Sequence, residues 1–210
     1  MPAPHCNARL RKRSVSAYRS ASEEEVIMAR VLAASPPFSE TIQARLDTLG
    51  RGRPPLSLFT TLARDERLFN RFMNGALLDP GGLTLRQREI VIDRTCARCR
   101  SSYEWGVHVA LFSGSAGLGP NELASLATGS AADACWEDSE RALIEACDQL
   151  HATSTIDQAC WTRLSDAYRE EQIIEVIMLI GFYHTVSYLT NALALPDEDF
   201  AAGLSARLSS

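Results

Sequence analysis

Apolar residues recur along most of the chain at the three- and four-residue spacing of amphipathic helices. In residues 84–100, a capping-box pattern of Thr84 with Gln87 precedes the apolar run Ile90–Ile92. Sustained alternation of apolar and polar residues, the pattern typical of strands, does not occur in the sequence. We therefore predict an all-α fold of about nine or ten helices.

Capping residues, glycine and proline set the predicted helix boundaries. Ser22 with Glu25 predicts a helix that runs through Val31 and stops before Pro36. Ser101 with Glu104 predicts a further capping box. The remaining predicted helices lie near residues 39–50, 56–62, 68–77, 120–129, 136–151, 156–168 and 170–193.

Composition and charge divide the chain into two unequal parts. With 210 residues, 46% hydrophobic and 22% charged, collagen-like, coiled-coil and fully disordered classes are excluded. The first 22 residues hold five basic residues and no acid, so the formal net charge of −5 becomes −10 for the remainder. We predict a basic, flexible leader at 1–21 and a single all-α domain at 22–210. Its acidity predicts no nucleic-acid partner.

The sequence also bears on location. The basic N-terminal residues are not followed by an apolar segment of the secretory type. The longest apolar stretch, around 173–180, contains Glu175 and is short for a membrane span. We therefore expect a cytoplasmic protein without a membrane partner, whose six cysteines do not form a disulfide framework.

Acidic side chains and a histidine are concentrated between residues 89 and 108. Glu104 and His108 lie four residues apart on one predicted helix, so they share a face and can share a proton. That arrangement is typical of general acid–base catalysis. Alternatively, Glu104 only completes the capping box with Ser101, while His108 packs beneath Trp105 or caps a carbonyl group.

A stripe of polar residues follows the preceding predicted helix. Glu89, Asp93, Cys96 and Arg100 recur at helical spacing. Such a stripe is a solvated charged face in one interpretation. In the other, a carboxylate beside the apolar run is partly buried and has a raised pKa.

Two cysteines, Cys96 and Cys99, form a Cys-x-x-Cys pair and are a possible redox pair. They lie near the end of their predicted helix, where the helix dipole opposes ionisation, although neighbouring arginines favour it. A zinc site would need further ligands at finger-like spacing, and no second pair follows. We predict neither a metal nor a cofactor. On the last predicted helix, Tyr183, His184, Tyr188 and Asn191 form a polar stripe that lines either a pocket or a subunit boundary.

The string LTLRQREIVIDRTCARCRSSYEWGVHVALFSGSAGLGPNELASL, within residues 83–129, resembles the core of the carboxymuconolactone decarboxylase family. The likeness consists of an L-x-x-R-x-R-E helix, the motif YEW-x-x-H, and a Gly-Leu pair ahead of a short acidic helix. Its flanks extend the resemblance to residues 36–196. The resemblance implies an alkylhydroperoxidase D-like helical domain that assembles into homo-oligomers, commonly trimers or hexamers, with active sites near subunit contacts.

The decarboxylase branch of this family implies a substrate that is a small carboxylated lactone. By resemblance, His108 acts as acid and base, and Glu104 or Glu89 sets its protonation. An arginine that pairs with the substrate carboxylate is also implied. The candidate substrate-binding residues are Arg86, Arg94, Tyr103, Trp105 and His184.

The peroxidase branch uses a glutamate, a Cys-x-x-Cys pair and a histidine. When His108 is aligned with that histidine, Glu89 matches the glutamate, but Ser101 and Glu104 occupy the two thiol positions. We therefore expect an acid–base decarboxylase or related lyase. The alternatives are a peroxiredoxin-like activity through a Cys96/Cys99 dithiol and a non-catalytic oligomeric scaffold.

Overall fold

The structure, a computed structural model, describes residues 29–50, 52–77 and 79–201. These residues form nine α-helices and no strand, which confirms the predicted all-α class. The helices are α1 (Glu40–Gly50), α2 (Ser57–Leu62), α3 (Glu66–Gly75), α4 (Leu85–Arg98), α5 (Ser102–Ala116), α6 (Pro120–Thr128), α7 (Asp138–Thr153), α8 (Gln158–Ala167) and α9 (Glu170–Ala192).

The segment before α1 differs from its prediction. Residues 1–28, which contain the predicted leader and the start of the predicted first helix, lie outside the described residues. Residues 29–39 are not helical, so the extension of that helix through Val31 is wrong. The Arg30 N–H donates to the Leu193 carbonyl at 2.8 Å, and the Ala34 N–H donates to the Thr60 carbonyl at 3.0 Å. These distant partners satisfy the backbone that a helix would have satisfied locally.

Helix α4 lies at the centre of the described fold and packs against α5, α6, α7 and α9. Every residue from 89 to 97 is buried, because the apolar run Ile90–Ile92 covers more than one face of the helix. The predicted capping box is confirmed at its start. The Thr84 hydroxyl accepts from the Gln87 N–H at 3.2 Å, and the Thr84 N–H donates to the Gln87 side chain at 2.9 Å.

A tight turn joins α4 to α5. Arg100 has a left-handed backbone with a φ of +54°. The Ser101 N–H donates to the Cys96 carbonyl at 2.9 Å, and the Arg100 N–H donates to the Ala97 carbonyl at 3.0 Å. These two bonds form a Schellman motif, which ends α4 and starts α5 almost at once. The two helices therefore form an αα-hairpin and pack against each other along their lengths.

Helix α9 is, by length and composition, the one described helix that could cross a membrane. In the most apolar 18-residue stretch of α9, 44% of the stretch is buried within the protein. The helix packs against α4, α5, α7 and α8. A central core helix requires the same apolar composition. The apolar stretch extends beyond the 173–180 segment considered in the sequence analysis. Ile174, Ile177 and Met178 form its exposed apolar side chains.

Arg94 connects α4 to two neighbouring helices. Its guanidinium donates two hydrogen bonds of 2.7 Å to the Asp148 carboxylate on α7. It also donates to the carbonyl groups of Ser125 and Leu126 on α6, at 3.3 and 3.0 Å. Because the Arg94 side chain is only 3% exposed, these partners replace its hydration shell.

We predict that Arg94→Met lowers the free energy of unfolding by about 3 kcal/mol, because it removes both 2.7 Å hydrogen bonds to the part-buried Asp148 carboxylate, which then keeps only Arg98 at 3.4 Å, and the side-chain donor to the Leu126 carbonyl. Urea denaturation followed by circular dichroism measures this loss. Asp138→Asn is the control, since Asp138 is fully exposed in its ion pair with Arg141, and no measurable change is expected. A loss at Arg94 below about 1 kcal/mol would contradict a structural role for the pair.

Candidate active site

The imidazole of His108 lies between two carboxylates and a phenol. Its Nδ1 is 2.8 Å from Glu89 Oε2, and its Nε2 is 3.4 Å from Glu104 Oε1. The Tyr183 hydroxyl is 3.0 Å from the same Nε2. All four residues are buried, and His108 itself is 8% exposed. The structure thus brings together the three predicted catalytic residues and adds a tyrosine.

Three helices position these groups. Glu89 lies on α4, Glu104 and His108 on α5, and Tyr183 on α9. The α4–α5 hairpin sets Glu89 beside His108, and the four-residue spacing places Glu104 on the same face of α5. The sequence places Tyr183 only in the polar stripe of the last predicted helix, because its 75-residue separation from His108 leaves no local pattern that connects the two.

The predicted capping box at the start of α5 is wrong. Ser101 makes no side-chain capping bond. Its hydroxyl instead pairs with the Thr190 hydroxyl on α9 at 2.9 Å. Glu104 is therefore not used as a cap, and one of its oxygens approaches His108. The interpretation in which Glu104 only completes a capping box is therefore wrong.

The pKa of His108 is raised well above its ordinary value. Burial disfavours the imidazolium, but attraction to the Glu89 carboxylate and hydrogen bonds with Glu104 and Glu89 more than offset this effect. A charged imidazole donates from both nitrogens. Nδ1–H then points to Glu89, and Nε2–H points to Tyr183 and Glu104.

A third carboxyl group, Asp93, lies near this cluster and is fully buried. Burial raises its pKa well above the usual range, and the negative charges of Glu89 and Glu104 raise it further. Neither of its oxygens has a hydrogen-bond partner among the described residues. Asp93 is therefore a neutral acid. The interpretation of the stripe as a solvated face is wrong for Glu89, Asp93 and Cys96, whereas Arg100 is exposed.

The possible redox pair lies next to these acids. Cys96 is fully buried, and burial, followed by the charge of Glu104, raises its thiol pKa well above the usual range. Cys99 is half-buried, and burial raises its pKa as well. Because the thiolate is the reactive form, these surroundings disfavour attack on a peroxide. The redox role of the pair stays a prediction that the electrostatics do not support.

The arginines proposed for the substrate carboxylate are engaged elsewhere. Arg86 donates to Glu140 at 2.6 Å and to Glu122 at 2.5 Å, so it links α4 to α6 and α7. Arg94 makes the ion pair and carbonyl contacts described above. Neither contact pattern supports a substrate-binding role for these guanidinium groups.

The other predicted substrate-binding residues are Tyr103, Trp105 and His184, and each has surroundings of its own. The buried Tyr103 donates to Glu198 at 2.5 Å and accepts from the Leu58 N–H at 3.2 Å, which fastens α5 to α2 and the C-terminal segment. Trp105 is fully buried in the main core. His184 belongs to a different cluster, with Cys99 and His151. Substrate-binding roles for these three residues stay predictions.

A cavity of about 300 Å³ adjoins the site. The Phe112 ring lines it and also packs against His108, with the ring centroids 5.2 Å apart. Arg53 lines the same cavity and has no carboxylate at ion-pair distance among the described residues. The sequence analysis missed Arg53 because a turn residue between α1 and α2 has no spacing relation to His108. Other lining residues are Leu46, Leu49, Phe59 and Leu111.

The model of the Carboxymuconolactone decarboxylase family matches residues 66–148, which contain Glu89, Glu104 and His108. The matched segment spans 83 of the chain's 210 residues. The match confirms the resemblance drawn from the sequence, and it is wider than the predicted core at 83–129. No curated protein matches the sequence.

Several solved structures share the fold of this chain. An uncharacterized peroxidase-related protein from Silicibacter sp. TM1040 has a TM-score of 0.72 at 16% identity, over 85% of this chain and 95% of that one. An alkylhydroperoxidase AhpD core protein from Ralstonia eutropha JMP134 has a TM-score of 0.67 at 18% identity, over 80% and 93%. The debrominase Bmp8, in complex with 2,3,4-tribromopyrrole, has a TM-score of 0.66 at 14% identity, over 85% and 95%. At these identities the likeness establishes the AhpD-like helical fold alone.

We predict that Asp93→Asn makes the protein more stable than wild type, by a margin that grows between pH 5 and pH 8. The folded state keeps a proton on Asp93 that the unfolded state releases above the ordinary pKa of about 3.9. Stability from this group is therefore present below that pH and is lost as pH rises, by up to about 1.4 kcal/mol per pH unit. Urea denaturation at each pH measures the margin.

The fully exposed Asp138 provides the matched control for this titration. Asp138→Asn makes the same chemical change without burial, so its stability difference from wild type should not vary with pH in this way. A margin at Asp93 that stays constant from pH 5 to pH 8 would contradict a neutral buried acid.

Proposed function

We propose that the protein is an acid–base enzyme that decarboxylates a small carboxylated lactone. The observation that carries this proposal is the buried imidazole of His108 between Glu89 and Glu104, with Tyr183 at the same nitrogen as Glu104. An imidazole held by carboxylates in a buried site is a typical general acid and base. The match to the family model over the segment that holds these residues supports the same chemistry.

The reaction breaks the bond between the lactone ring system and its carboxylate. Carbon dioxide leaves, and the electron pair of that bond passes into the unsaturated lactone. The His108 imidazolium then delivers a proton to carbon, so that one proton is consumed in each turnover. Glu89 fixes Nδ1 and leaves Nε2 as the proton-transferring atom. Glu104 and Tyr183 lie at that atom and pass it a proton from solvent, which restores the imidazolium for the next turnover.

The cavity lined by Phe112 is the proposed substrate site. Its apolar walls accommodate a lactone ring, and its single lining guanidinium, Arg53, provides a partner for a substrate carboxylate. Phe112 contacts both the cavity and His108, so a substrate that displaces this ring slightly reaches the imidazole. This assignment replaces Arg86 and Arg94, whose donors are already used.

The alternative peroxidase activity has less support. It requires a thiolate, but burial and the charge of Glu104 raise the pKa of Cys96, and burial raises the pKa of Cys99. The positions equivalent to the thiols of the peroxidase branch hold Ser101 and Glu104. A small-molecule partner, assembly into a trimer or hexamer, and a cytoplasmic location also stay predictions.

We predict that His108→Gln lowers kcat/KM by about 100-fold or more, because it removes the proton donor. Glu89→Gln should lower kcat through the loss of imidazole orientation. Cys96→Ala, which removes the buried thiol, should stay within a few-fold of wild type. The assay follows carbon dioxide release and proton uptake with carboxymuconolactone and related lactone acids.

The result that would contradict acid–base chemistry is a reaction of the thiols with peroxide. Reduced protein is exposed briefly to cumene hydroperoxide, and the remaining thiols are trapped and mapped by mass spectrometry. A rapid Cys96–Cys99 disulfide, together with loss of peroxide consumption in Cys96→Ala and full activity in His108→Gln, would overturn the acid–base proposal.

We predict that Arg53→Gln raises KM about tenfold or more and changes kcat by no more than a few-fold, because Arg53 binds the substrate carboxylate without joining the proton transfer. Steady-state kinetics on the same lactone acids separate the two constants. Arg67→Gln removes an exposed arginine on α3 outside the cavity and should change neither. An unchanged KM in Arg53→Gln would remove Arg53 from the proposed site.

A further inference from the structure

A second cluster of reactive side chains lies outside the His108 site. Cys99 at the end of α4, His151 in the last turn of α7 and His184 in the middle of α9 point their ligand atoms toward one another. Cys99 Sγ is 3.7 Å from His151 Nδ1, and His151 Nδ1 is 3.1 Å from His184 Nε2. All three atoms lie within 4.8 Å of one another. We refer to these residues as the CHH cluster.

The separations match the geometry of a tetrahedral zinc ion. Zinc–nitrogen bonds of about 2.0–2.1 Å and a zinc–sulfur bond of about 2.3 Å place two ligand nitrogens about 3.3 Å apart, and a nitrogen and a sulfur about 3.6 Å apart. The observed 3.1 and 3.7 Å in the CHH cluster are each within about 0.2 Å of these values. The side chains are therefore already arranged at coordination distances.

The outer contact of His184 fixes which of its nitrogens carries a lone pair. His184 Nδ1 lies 2.9 Å from the Ile180 carbonyl oxygen, which can only accept a hydrogen bond. Nδ1 of a neutral ring therefore carries the proton, and Nε2 directs its lone pair toward His151. A backbone carbonyl that orients the ring in this way is the usual second partner of a metal-bound histidine.

Hydrogen bonding within the cluster is incomplete. One proton on His151 Nδ1 cannot serve both His184 Nε2 and Cys99 Sγ well. A proton donated from the Cys99 thiol to His151 would leave two nitrogen lone pairs facing each other at 3.1 Å. A cation at the centre of the cluster satisfies the lone pairs of both rings and the thiolate together.

We propose that the CHH cluster binds a single zinc ion through Cys99 Sγ, His151 Nδ1 and His184 Nε2. One thiolate and two imidazoles form a donor set typical of zinc, and three protein ligands leave a fourth position for water or another ligand. All three side chains are half-buried, so a solvated ion can reach them. The sequence analysis predicted no metal because these ligands come from three separate helices and have no finger-like spacing.

Zinc binding has a consequence for the thiols. A metal-bound Cys99 thiolate is not available to form a disulfide with Cys96. The cluster therefore assigns Cys99 to a metal rather than to peroxide reduction. This inference does not depend on the His108 chemistry, since the two sites share no residue.

The test is a cobalt titration of the full-length, chelator-treated protein. We expect one equivalent of Co²⁺ to bind, with the visible bands of tetrahedral cobalt and a thiolate charge-transfer band, and Zn²⁺ to displace it. Cys99→Ser should lose the charge-transfer band, and His151→Gln or His184→Gln should each weaken binding at least tenfold. Cys135→Ser removes another half-buried thiol and should bind like wild type.

A second measurement uses the unmodified protein and so does not depend on whether a variant folds. Thiol alkylation with peptide mapping should show that Zn²⁺ slows the labelling of Cys99 at least tenfold and leaves Cys135 unchanged. Absence of metal binding, a charge-transfer band that persists in Cys99→Ser, or equal labelling of Cys99 with and without Zn²⁺ would overturn the proposal.

Discussion

The turn between α4 and α5 is the constraint on which the site depends. Two Schellman hydrogen bonds and the left-handed Arg100 reverse the chain within three residues, so the helices return alongside each other. Glu89 lies nine residues before the last residue of α4 and His108 lies six residues after the first residue of α5, and the two side chains meet at 2.8 Å across the hairpin. Asp93 and Glu104 are each four residues closer to the turn on the same two helices, and the Glu104 charge contributes to the raised pKa of Asp93. A longer connection would lose this pairing.

Burial then determines how the grouped charges behave. Three carboxyl groups and one imidazole occupy a region of low dielectric, where they cannot all be ionised without large repulsion. The pKa directions resolve this with a protonated Asp93 and a charged His108 imidazole. Glu89, His108, Glu104 and Tyr183 form a connected group over which protons can be shared, whereas Asp93 has no hydrogen-bond partner among the described residues and lies outside that group.

Local sequence patterns correctly predicted the features that depend only on residues close together in the sequence. The Thr84–Gln87 box, the helix class and the Glu104–His108 spacing needed only neighbouring residues, and each appears in the structure. The box predicted at Ser101 failed because a distant hydroxyl, on Thr190, competes for the same side chain. Arg53 and His151 were in no predicted site, and Tyr183 was placed only in a polar stripe, because their neighbours come from distant parts of the chain. Which residues of α4 face which residues of α5 depends on the length of the turn between them, and the sequence alone did not give that length. The role of Glu89 came from family resemblance.

Arg100 also bears on the evolution of the chain. A left-handed position at a helix end favours glycine, and a side chain there costs roughly 1 kcal/mol. Leu77, Ser154 and Ala194 adopt the same conformation after α3, α7 and α9. In the unfolded chain, however, a residue with a side chain has less backbone freedom than glycine, which partly offsets the cost. Four helix ends thus hold stability that selection has not used, and the protein can acquire destabilising changes elsewhere and recover through these positions.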